Sequence, residues 1–457
     1  MNKLKYLFVL SLFILPSLTF AQMKGLSEFT LDNGLEVLIG ENHKAPIVKV
    51  MLIYKVGAAD EKAGKSGLAH LLEHLMFRGT VNVPKTRFNE ITLENGIDSN
   101  AFTSRDITVY HELSDVSRLE LVLALEADRM QNIKIDDEAF KAEQKIVYQE
   151  RQQRVENKPK ARFAEDMNRI FWQNTPYEHP VSGTLSEIEA LTKDDALAIY
   201  DTYYTPENAV LVIVGDVMPA EIMPIVQKYF GHIQKGEKPK RDFHFNVSDQ
   251  GSYFASKRMP DEEKKVISVS YIVPSAHQNR RLAYALYVFS SYFGESGVHY
   301  LKKNLVNTQK VVSASSGLNI LSRGAGEFEI SVLPNRGSKI DDNLKMINQA
   351  LEDASLSFTP ELLEKEKKKI LSWFVYIQDN PSDLAYFIGQ LKVLGWRLDE
   401  IENYTSNIEN VTIEDVKEAL LLLKNTKKMT TVLMPDKKRK KQVLDDNAAP
   451  KEVQYGL

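Results

Sequence analysis

The order of predicted elements repeats on the two sides of one charged segment, and this repeat constrains the fold more than any other feature of the chain. The segment, QKGEKPKR at residues 234–241, contains glycine and proline and no apolar residue, which is typical of a linker. On each side of it the apolar pattern predicts strands, then helices, then a closing strand. We therefore expect two similar α+β halves.

The first half is predicted to start with a hairpin, because Asp32-Asn33-Gly34 separates two β-prone runs. A short apolar helix is expected to end at Gly79, since glycine is common just past a helix end. The ranges predicted as strands are 27–40, 47–56, 98–113 and 211–214, and those predicted as helices are 67–77, 116–132 and 137–157.

The second half partly repeats this order. Its predicted strands are 266–273, the region 311–332 and 429–434, and its predicted helices start near Arg280 and cover about 341–377. The predicted division is a first domain at 22–235, a linker at 236–242 and a second domain at 243–457.

The first 21 residues differ from the rest of the chain and predict a signal peptide. Lys3 and Lys5 form a basic start, an apolar run covers residues 7–15, and Thr19 and Ala21 supply the small residues that a signal peptidase reads. The apolar run is shorter than the roughly 20 residues that cross a bilayer, although a retained anchor is the alternative. We expect an exported protein with no membrane span in its mature chain, and we favour the periplasm over release.

Cysteine content and charge exclude several classes of function. The chain has no cysteine, which excludes disulfides, thiolate zinc sites and a cysteine nucleophile. Its formal net charge is −4, which argues against nucleic acid as a partner. The exception is the basic run KKRKK at residues 437–441, for which a solvated tail is favoured over a binding patch.

The strongest chemical signal is the run His70-Leu71-Leu72-Glu73-His74 in the first predicted helix. Residues four apart on a helix share one face, so His70 and His74 project side by side and can hold one small cation. Glu73 lies beside them, near enough to take a proton from a metal-bound water. This His-x-x-Glu-His order is a known zinc-hydrolase signature, and the alternative is a pair of solvated surface histidines.

A third ligand is expected from the helix at 137–157. Glu143, Ile146, Val147 and Glu150 lie at helical spacing on one stripe, which we interpret as the buried face. Buried carboxylates need a cation, hydrogen bonds or protonation, whereas the alternative is two glutamates on a solvated helix edge. The polar residues off this stripe are expected to face water, namely Gln144, Lys145, Gln149, Arg151 and Gln152.

Further motifs surround these residues. In chain order they are GLAHLLEHLMFRGT at 67–80, NAFT at 100–103, DITVY at 106–110, Glu143, VYQER at 147–151 and YTPENAVLVIVGD at 204–216. With these motifs the sequence resembles the pitrilysin/insulinase family of zinc peptidases, and it is similar to mitochondrial processing peptidase and the two-domain bacterial members. The resemblance spans roughly residues 27–435 and is stronger in the first half.

The resemblance implies one zinc ion per chain. The ion would be held by His70, His74 and Glu150, with Glu73 as the general base. Glu143 would be the accessory glutamate that orients a zinc-binding histidine.

The resemblance also implies a fold and a way of binding substrate. Each half would be a mainly antiparallel sheet packed against helices, and the halves would form a clamshell around a chamber that admits unfolded peptides. The strand through Asn100, Ala101, Phe102 and Thr103 would pair with an extended peptide as an added edge strand.

One departure from the family pattern concerns the second half, where family members carry an Arg and a Tyr that complete the site. Here Tyr300 and Ser313 stand at the aligned positions, and neither supplies the same donor. Either the alignment is shifted there or a partner chain supplies these groups. We favour a heterodimer with a second family subunit, and a homodimer is the other arrangement.

The leading functional prediction is therefore an exported zinc metalloendopeptidase that acts on unfolded peptides. The alternative, a non-catalytic peptide-binding or assembly subunit of the same family, is disfavoured because the metal motif is complete. A zinc hydrolase of other substrates is disfavoured by the strand that would pair with a peptide.

Overall fold

The computed structural model describes residues 23, 25–84, 87–241, 245, 251–259, 264–295 and 297–436. The predicted signal peptide and the basic run at 437–441 lie outside the described residues, as does part of the predicted linker. Among the residues that the structure describes, no helix combines the length and the apolar character needed to cross a membrane.

The first half of the chain forms a six-stranded sheet in the order β1-β2-β6-β3-β5-β4. Its strands are β1 (Leu26–Thr30), β2 (Glu36–Glu41), β3 (Ile47–Tyr54), β4 (Asp98–Thr103), β5 (Thr108–Asp115) and β6 (Ala209–Gly215). All neighbours are antiparallel except β2 and β6. The pairing of β1 with β2 confirms the predicted hairpin, and β4 forms one open edge of the sheet.

The first half also contains eight α-helices among its described residues. They are α1 (Leu68–Leu75), α2 (Arg87–Glu94), α3 (Leu119–Asn132), α4 (Asp137–Arg151), α5 (Pro159–Phe171), α6 (Leu185–Ala190), α7 (Lys193–Tyr203) and α8 (Pro219–Phe230). The helix predicted at 137–157 ends earlier than expected, because the chain continues from α4 as a π-helical turn at Gln152–Glu156.

The second half forms a five-stranded sheet in the order β7-β11-β8-β10-β9. Its strands are β7 (Ser252–Met259), β8 (Val266–Val273), β9 (Val311–Asn319), β10 (Gly326–Pro334) and β11 (Lys428–Pro435). Only β7 and β11 pair in parallel, so both sheets are mainly antiparallel, as expected.

The helices of the second half pack against this sheet and against each other. They are α9 (Arg280–Ser290), α10 (Ile340–Ser357), α11 (Pro360–Ile377), α12 (Pro381–Val393), α13 (Leu398–Glu402), α14 (Ser406–Glu409) and α15 (Ile413–Asn425). The α+β prediction with two sheets packed against helices is confirmed.

Each half contributes one helix to the sheet of the other half. α12 packs on β3 and β6 of the first sheet, and α5 packs on β7 and β11 of the second. Gly389 permits the close approach of α12, because a Cβ there would lie 2.5 Å from Cδ1 of Ile53. One hydrophobic core therefore runs through both halves and includes Val212 of β6 and Ile388 of α12.

A buried charged cluster also joins the two halves. Arg323, in the loop between β9 and β10, donates hydrogen bonds to Asp60 at 2.7 and 3.2 Å and to Asp106 at 3.0 Å. Arg241, in the predicted linker, donates to Asp60 at 2.8 Å. Because a fully buried carboxylate needs cationic partners, this cluster holds the second half's hairpin against the first half. The predicted domain boundaries themselves stay predictions.

Several elements were absent from the sequence prediction, and the physical reason is clear for three of them. α5 lies in a segment that was interpreted as a polar connection, and its apolar residues Phe163 and Met167 pack against the other half's sheet. α12 is buried on several sides, which removes the one-sided pattern that marks a surface helix. β7 is a largely exposed edge strand, so it lacks the buried apolar run by which the other strands were predicted.

Candidate metal centre

Helix α1 presents the predicted metal residues to a cavity. It follows Gly67, whose φ is 87° and where a Cβ would lie 2.9 Å from Cα of Gly183, so glycine is required there. The buried Glu61 accepts hydrogen bonds from the backbone N–H groups of Gly67 at 3.0 Å and Ala69 at 2.8 Å, which satisfies the free N-terminus of the helix. Leu71 packs into the core, and the histidine face is left toward the cavity.

His70, His74 and Glu150 converge at one point. Glu150 Oε2 lies 3.4 Å from His74 Nε2 and 4.0 Å from His70 Nε2, and one ligand atom from each residue lies within 4.8 Å of the others. Two ligand atoms of a tetrahedral zinc ion, each about 2.1 Å from the metal, stand about 3.4 Å apart. The three residues therefore fit zinc, and they form the only such group in the part of the chain that the structure describes.

The surroundings favour the metal-binding forms of both histidines. Glu143 Oε2 lies 3.1 Å from His74 Nδ1, and as the acceptor it keeps the proton on Nδ1 and leaves Nε2 free for a metal. Glu143 also accepts a hydrogen bond from Arg78. Burial, together with the nearby His74, lowers the pKa of His70 to about 4, so this imidazole is neutral at pH 7.

Helix α4 carries the predicted stripe, but the stripe is only half buried. Glu143 and Val147 are buried, whereas Ile146 is 41% exposed and lines the cavity beside Glu150. Glu150 also pairs with Arg154 at 2.6 Å. The stripe is thus divided between the core, which contains Val147, and the wall of an open cavity.

The prediction that Arg151 faces water was wrong. Its guanidinium is buried and donates to Glu165 at 2.5 and 2.6 Å and to Glu156 at 2.9 Å. The reason is that α5, which was not predicted, brings Glu165 back against α4. Arg151 therefore joins α4 to the chain that follows it.

Glu73 is held beside the metal group by a residue of β4. Its Oε2 accepts a hydrogen bond of 2.5 Å from Thr103 Oγ1. Burial raises the pKa of Glu73, and the bond from Thr103 opposes this shift. The carboxylate is therefore fixed in orientation and remains a stronger base than an exposed glutamate. From the sequence, Thr103 was predicted only as a residue of the substrate-binding strand, and its hydrogen bond to Glu73 was not predicted.

The four predicted substrate-binding residues lie on β4, at the open edge of the first sheet. Side chains alternate along a strand, so Ala101 and Thr103 face α1, while Asn100 and Phe102 face the side covered by α12. Consistent with this, Ala101 packs on the core beneath α1, and the Phe102 ring lies 6.0 Å from that of Tyr386 in α12. An added strand can reach the free backbone groups of this edge.

Two family models match the chain. The model described as Insulinase (Peptidase family M16) matches residues 36–185, and the model described as Peptidase M16 inactive domain matches residues 190–370. The chain belongs to peptidase family M16. The first of these matches contains every predicted metal and catalytic residue of this M16 chain.

Relatives of this M16 chain include named zinc proteases. The zinc protease PqqE of Helicobacter pylori is 27% identical over 360 residues, which cover 78% of this chain and 81% of the relative. The beta subunit of the mitochondrial-processing peptidase of Lentinula edodes is 23% identical over 416 residues, covering 87% of this chain and 88% of that subunit. These relationships support peptidase chemistry and zinc use in general.

Solved structures of M16 proteins share the fold. The crystal structure of a protease from Helicobacter pylori has a TM-score of 0.81 at 26% identity and covers 90% of this chain and 99% of that chain. The periplasmic protease PqqL from Escherichia coli has a TM-score of 0.77 at 17% identity, covering 90% of this chain and 48% of that chain. The second likeness shows the fold alone.

Among the described residues, only those of the first half line the cavity around the metal group of this M16 chain. The cavity has a volume of about 1030 Å³ and is lined by residues between His70 and Ser182. Tyr300 instead packs against Tyr292, with ring centroids 5.6 Å apart, and Ser313 lies opposite Leu333 in the second sheet. The structure therefore does not bring Tyr300 or Ser313 to the metal group.

Proposed function

We propose that the chain is an exported zinc metalloendopeptidase that hydrolyses unfolded peptides. The observation that carries this proposal is the convergence of His70, His74 and Glu150 beside Glu73, in a cavity next to an open strand edge. Two imidazoles and one carboxylate are a donor set that suits catalytic zinc and leaves a position free for water.

The residues divide the work of peptide hydrolysis. A zinc ion bound here supplies a polarised water molecule with a pKa lowered to about 7. Glu73 accepts the proton of this water through the carboxylate oxygen that Thr103 does not bind, and then passes the proton to the leaving amine. Glu143 keeps His74 in the orientation and tautomer that metal binding needs.

The edge strand β4 is the proposed site of peptide binding. A peptide that pairs with Asn100, Ala101, Phe102 and Thr103 as an added strand is held through its backbone, so varied sequences can bind. Pairing of this kind requires an extended chain, which selects unfolded peptides over folded proteins.

A partner subunit is the proposed source of the remaining polar groups. The second half contributes no residue to the lining of the metal cavity among those described. A heterodimer with a second M16 subunit therefore remains the favoured arrangement, and a homodimer is the alternative. The periplasm is the proposed location, supported by the predicted signal peptide and by the periplasmic PqqL that shares the fold.

The second candidate function is a non-catalytic peptide-binding or assembly subunit. The match of the second half to a model described as an inactive domain favours it. The complete set of metal and base residues in the first half argues against it.

Peptide cleavage and zinc content, measured together on the mature chain, test the proposal. We expect the wild type to cleave a quenched fluorogenic peptide, weakly when it is alone and faster once its partner subunit is present, and we expect Glu73→Gln to lose about 100-fold or more of that activity with zinc retained. Equal activity in the two proteins would contradict the assigned base. Sedimentation on the same samples decides the partner: a purified monomer that cleaves robustly would contradict the need for a second subunit, whereas zinc without activity supports it.

A further inference from the structure

A second cavity lies between the two halves, on the opposite face of the first sheet from the metal group. Its volume is about 770 Å³, within the range of sites that bind small molecules and side chains. It opens next to Ser104, the residue that follows β4, and its walls come from both halves. We propose that this cavity binds a large apolar side chain of the peptide substrate, best an aromatic one, an inference that rests on the proposed peptidase function.

The alternation of side chains along a strand determines which side chains of a bound peptide can reach the cavity. A peptide paired with β4 directs alternate side chains to the two faces of the sheet. One set points with Thr103 toward α1 and the metal group. The other set points with Phe102 toward Tyr386 of α12, which lines the cavity. Every second side chain of the bound peptide therefore approaches the cavity while the scissile bond lies at the metal group.

The cavity presents aromatic rings at its mouth. Trp373 and Tyr376 at the end of α11 are 50% and 72% exposed, and Tyr386 of α12 is 41% exposed. All three line the cavity. Exposed aromatic residues grouped around a concave surface are typical of binding sites, because they remove apolar ligand surface from water.

The charged groups at the floor of the cavity are bound by neighbouring protein groups. The Arg105 guanidinium lies 5.1 Å from the ring of Trp172 and 5.0 Å from that of Tyr177, and it donates to Asn168 at 2.8 Å. Asp106 next to it is bound by Arg323 at 3.0 Å. Glu327, near Arg105, and Asp383 also line the cavity. The lining thus carries charges of both signs, and the aromatic walls favour an uncharged side chain.

Paired peptides test this specificity in the cleavage reaction. Within one cleavable peptide, Phe is replaced by Ala at each successive position, and KM is measured for each. We expect the change from Phe to Ala to raise KM about 10-fold at one position, or at two positions whose side chains lie on the same face of the bound peptide. This is the size expected for losing one buried aromatic contact. The same KM for the Phe and Ala peptides at every position overturns the inference.

Tyr376→Ala removes a wall of the cavity, and its exposure makes the fold insensitive to the change. We expect this variant to lose most of the discrimination between the Phe and Ala peptides. Phe254→Ala, an aromatic residue 58% exposed on β7, is the matched control and should keep the discrimination. Full discrimination in Tyr376→Ala contradicts the assignment of the cavity.

A binding measurement separates this inference from the proposed catalysis. The chain has 3 tryptophans, and Trp172 and Trp373 both line the cavity. Titration of zinc-loaded Glu73→Gln with the tryptophan-free Phe peptide should shift the tryptophan emission, and the Ala peptide should not at the same concentration. A shift with a wild type that lacks activity both alone and together with its partner subunit supports the cavity and contradicts the proposed peptidase function. An active wild type whose variant shows no shift overturns the cavity assignment alone.

Discussion

The two halves each contain a long helix at the same place in their order of elements, and the side chains of these two helices differ. α4 follows β5 and α3 in the first half, as α11 follows β10 and α10 in the second. Glu143 and Glu150 are seven residues apart in α4, and Glu366 and Trp373 have the same spacing in α11. Glu143 and Glu366 are both buried, and each is the seventh residue of its helix.

The partners of these two glutamates differ. Glu143 contacts His74, whereas Glu366 accepts hydrogen bonds from Ser291 at 2.8 Å and from Lys369 at 3.1 Å. The positive charge of Lys369, on the same helix, thus offsets the negative charge of Glu366, in the role that His74 and Arg78 have beside Glu143. Either half can therefore bury a glutamate, while metal binding depends on whether the facing segment presents imidazoles, as α1 does with His74, or a hydroxyl such as that of Ser291.

Loss of a ligand is the largest effect expected from this comparison. His74→Ala should lower zinc affinity by more than about 100-fold, because one of three protein ligands is gone. Ser291→Ala, the partner of the corresponding glutamate, should leave zinc affinity unchanged. Zinc content after dialysis, measured by mass spectrometry, reports both. Equal zinc loss in the two variants would contradict the assignment of the metal site to the first half.

Removal of the carboxylates themselves sharpens the comparison. Glu143→Gln should lower zinc affinity by about 10- to 100-fold, since it releases the tautomer and orientation of His74. Glu366→Gln should alter thermal stability and leave zinc affinity as it is. Competition with a chromophoric chelator measures the affinity. An unchanged affinity in Glu143→Gln would contradict the accessory role of Glu143.

Thr103 links the substrate strand to the general base, and no equivalent contact joins the second sheet to a metal group in the described residues. Thr103→Val should lower kcat about 10-fold, the size expected for losing a hydrogen bond to a charged group. Zinc content and KM should be retained, and Thr103→Ser should restore most of kcat. A higher KM with normal kcat would instead limit Thr103 to peptide binding.

The smallest effect concerns pH and the edge of the first sheet. Burial, with Lys49 at 2.8 Å, lowers the pKa of His111 to about 4. As pH falls below about 6.5 the unfolded chain takes up a proton that the folded chain refuses until about pH 4, so stability decreases over this window. The two pKa values alone give a loss of about 1.8 kcal/mol between pH 7 and 5, and because His111 is only partly buried, solvent screening reduces it to roughly 1 kcal/mol. Urea unfolding of the metal-free protein should show it, and His111→Gln should remove that part of the dependence. The same slope in the variant would contradict the assignment.

The sequence predicted the parts of the site that are local in the chain. His70 and His74 share one helix turn, and Glu143 and Glu150 share one stripe, so helical spacing alone brought each pair together. Their meeting across two helices was predicted through the family resemblance. The α+β architecture was predicted in the same two ways, from the repeated order of elements and from the resemblance.

Contacts between distant segments could not be predicted in this way. The bond from Thr103 to Glu73 and the pairing of Arg323 with Asp60 depend on how strands, loops and helices pack in space. α5 and α12 each pack against the sheet of the other half. Their apolar positions therefore match a distant sheet, and the sequence around each helix did not reveal it. Arg151 was misplaced for the same reason, since its partner Glu165 belongs to α5.

The location of bound zinc tests the central claim most directly. Crystals of the zinc-loaded chain, measured on both sides of the zinc absorption edge, show where the ion lies. The account predicts one anomalous peak, about 2.1 Å from the nearest atoms of His70, His74 and Glu150, and none near Glu366. A peak at another group of residues, or no peak in protein that contains zinc in solution, would contradict the assignment of the metal centre to the first half.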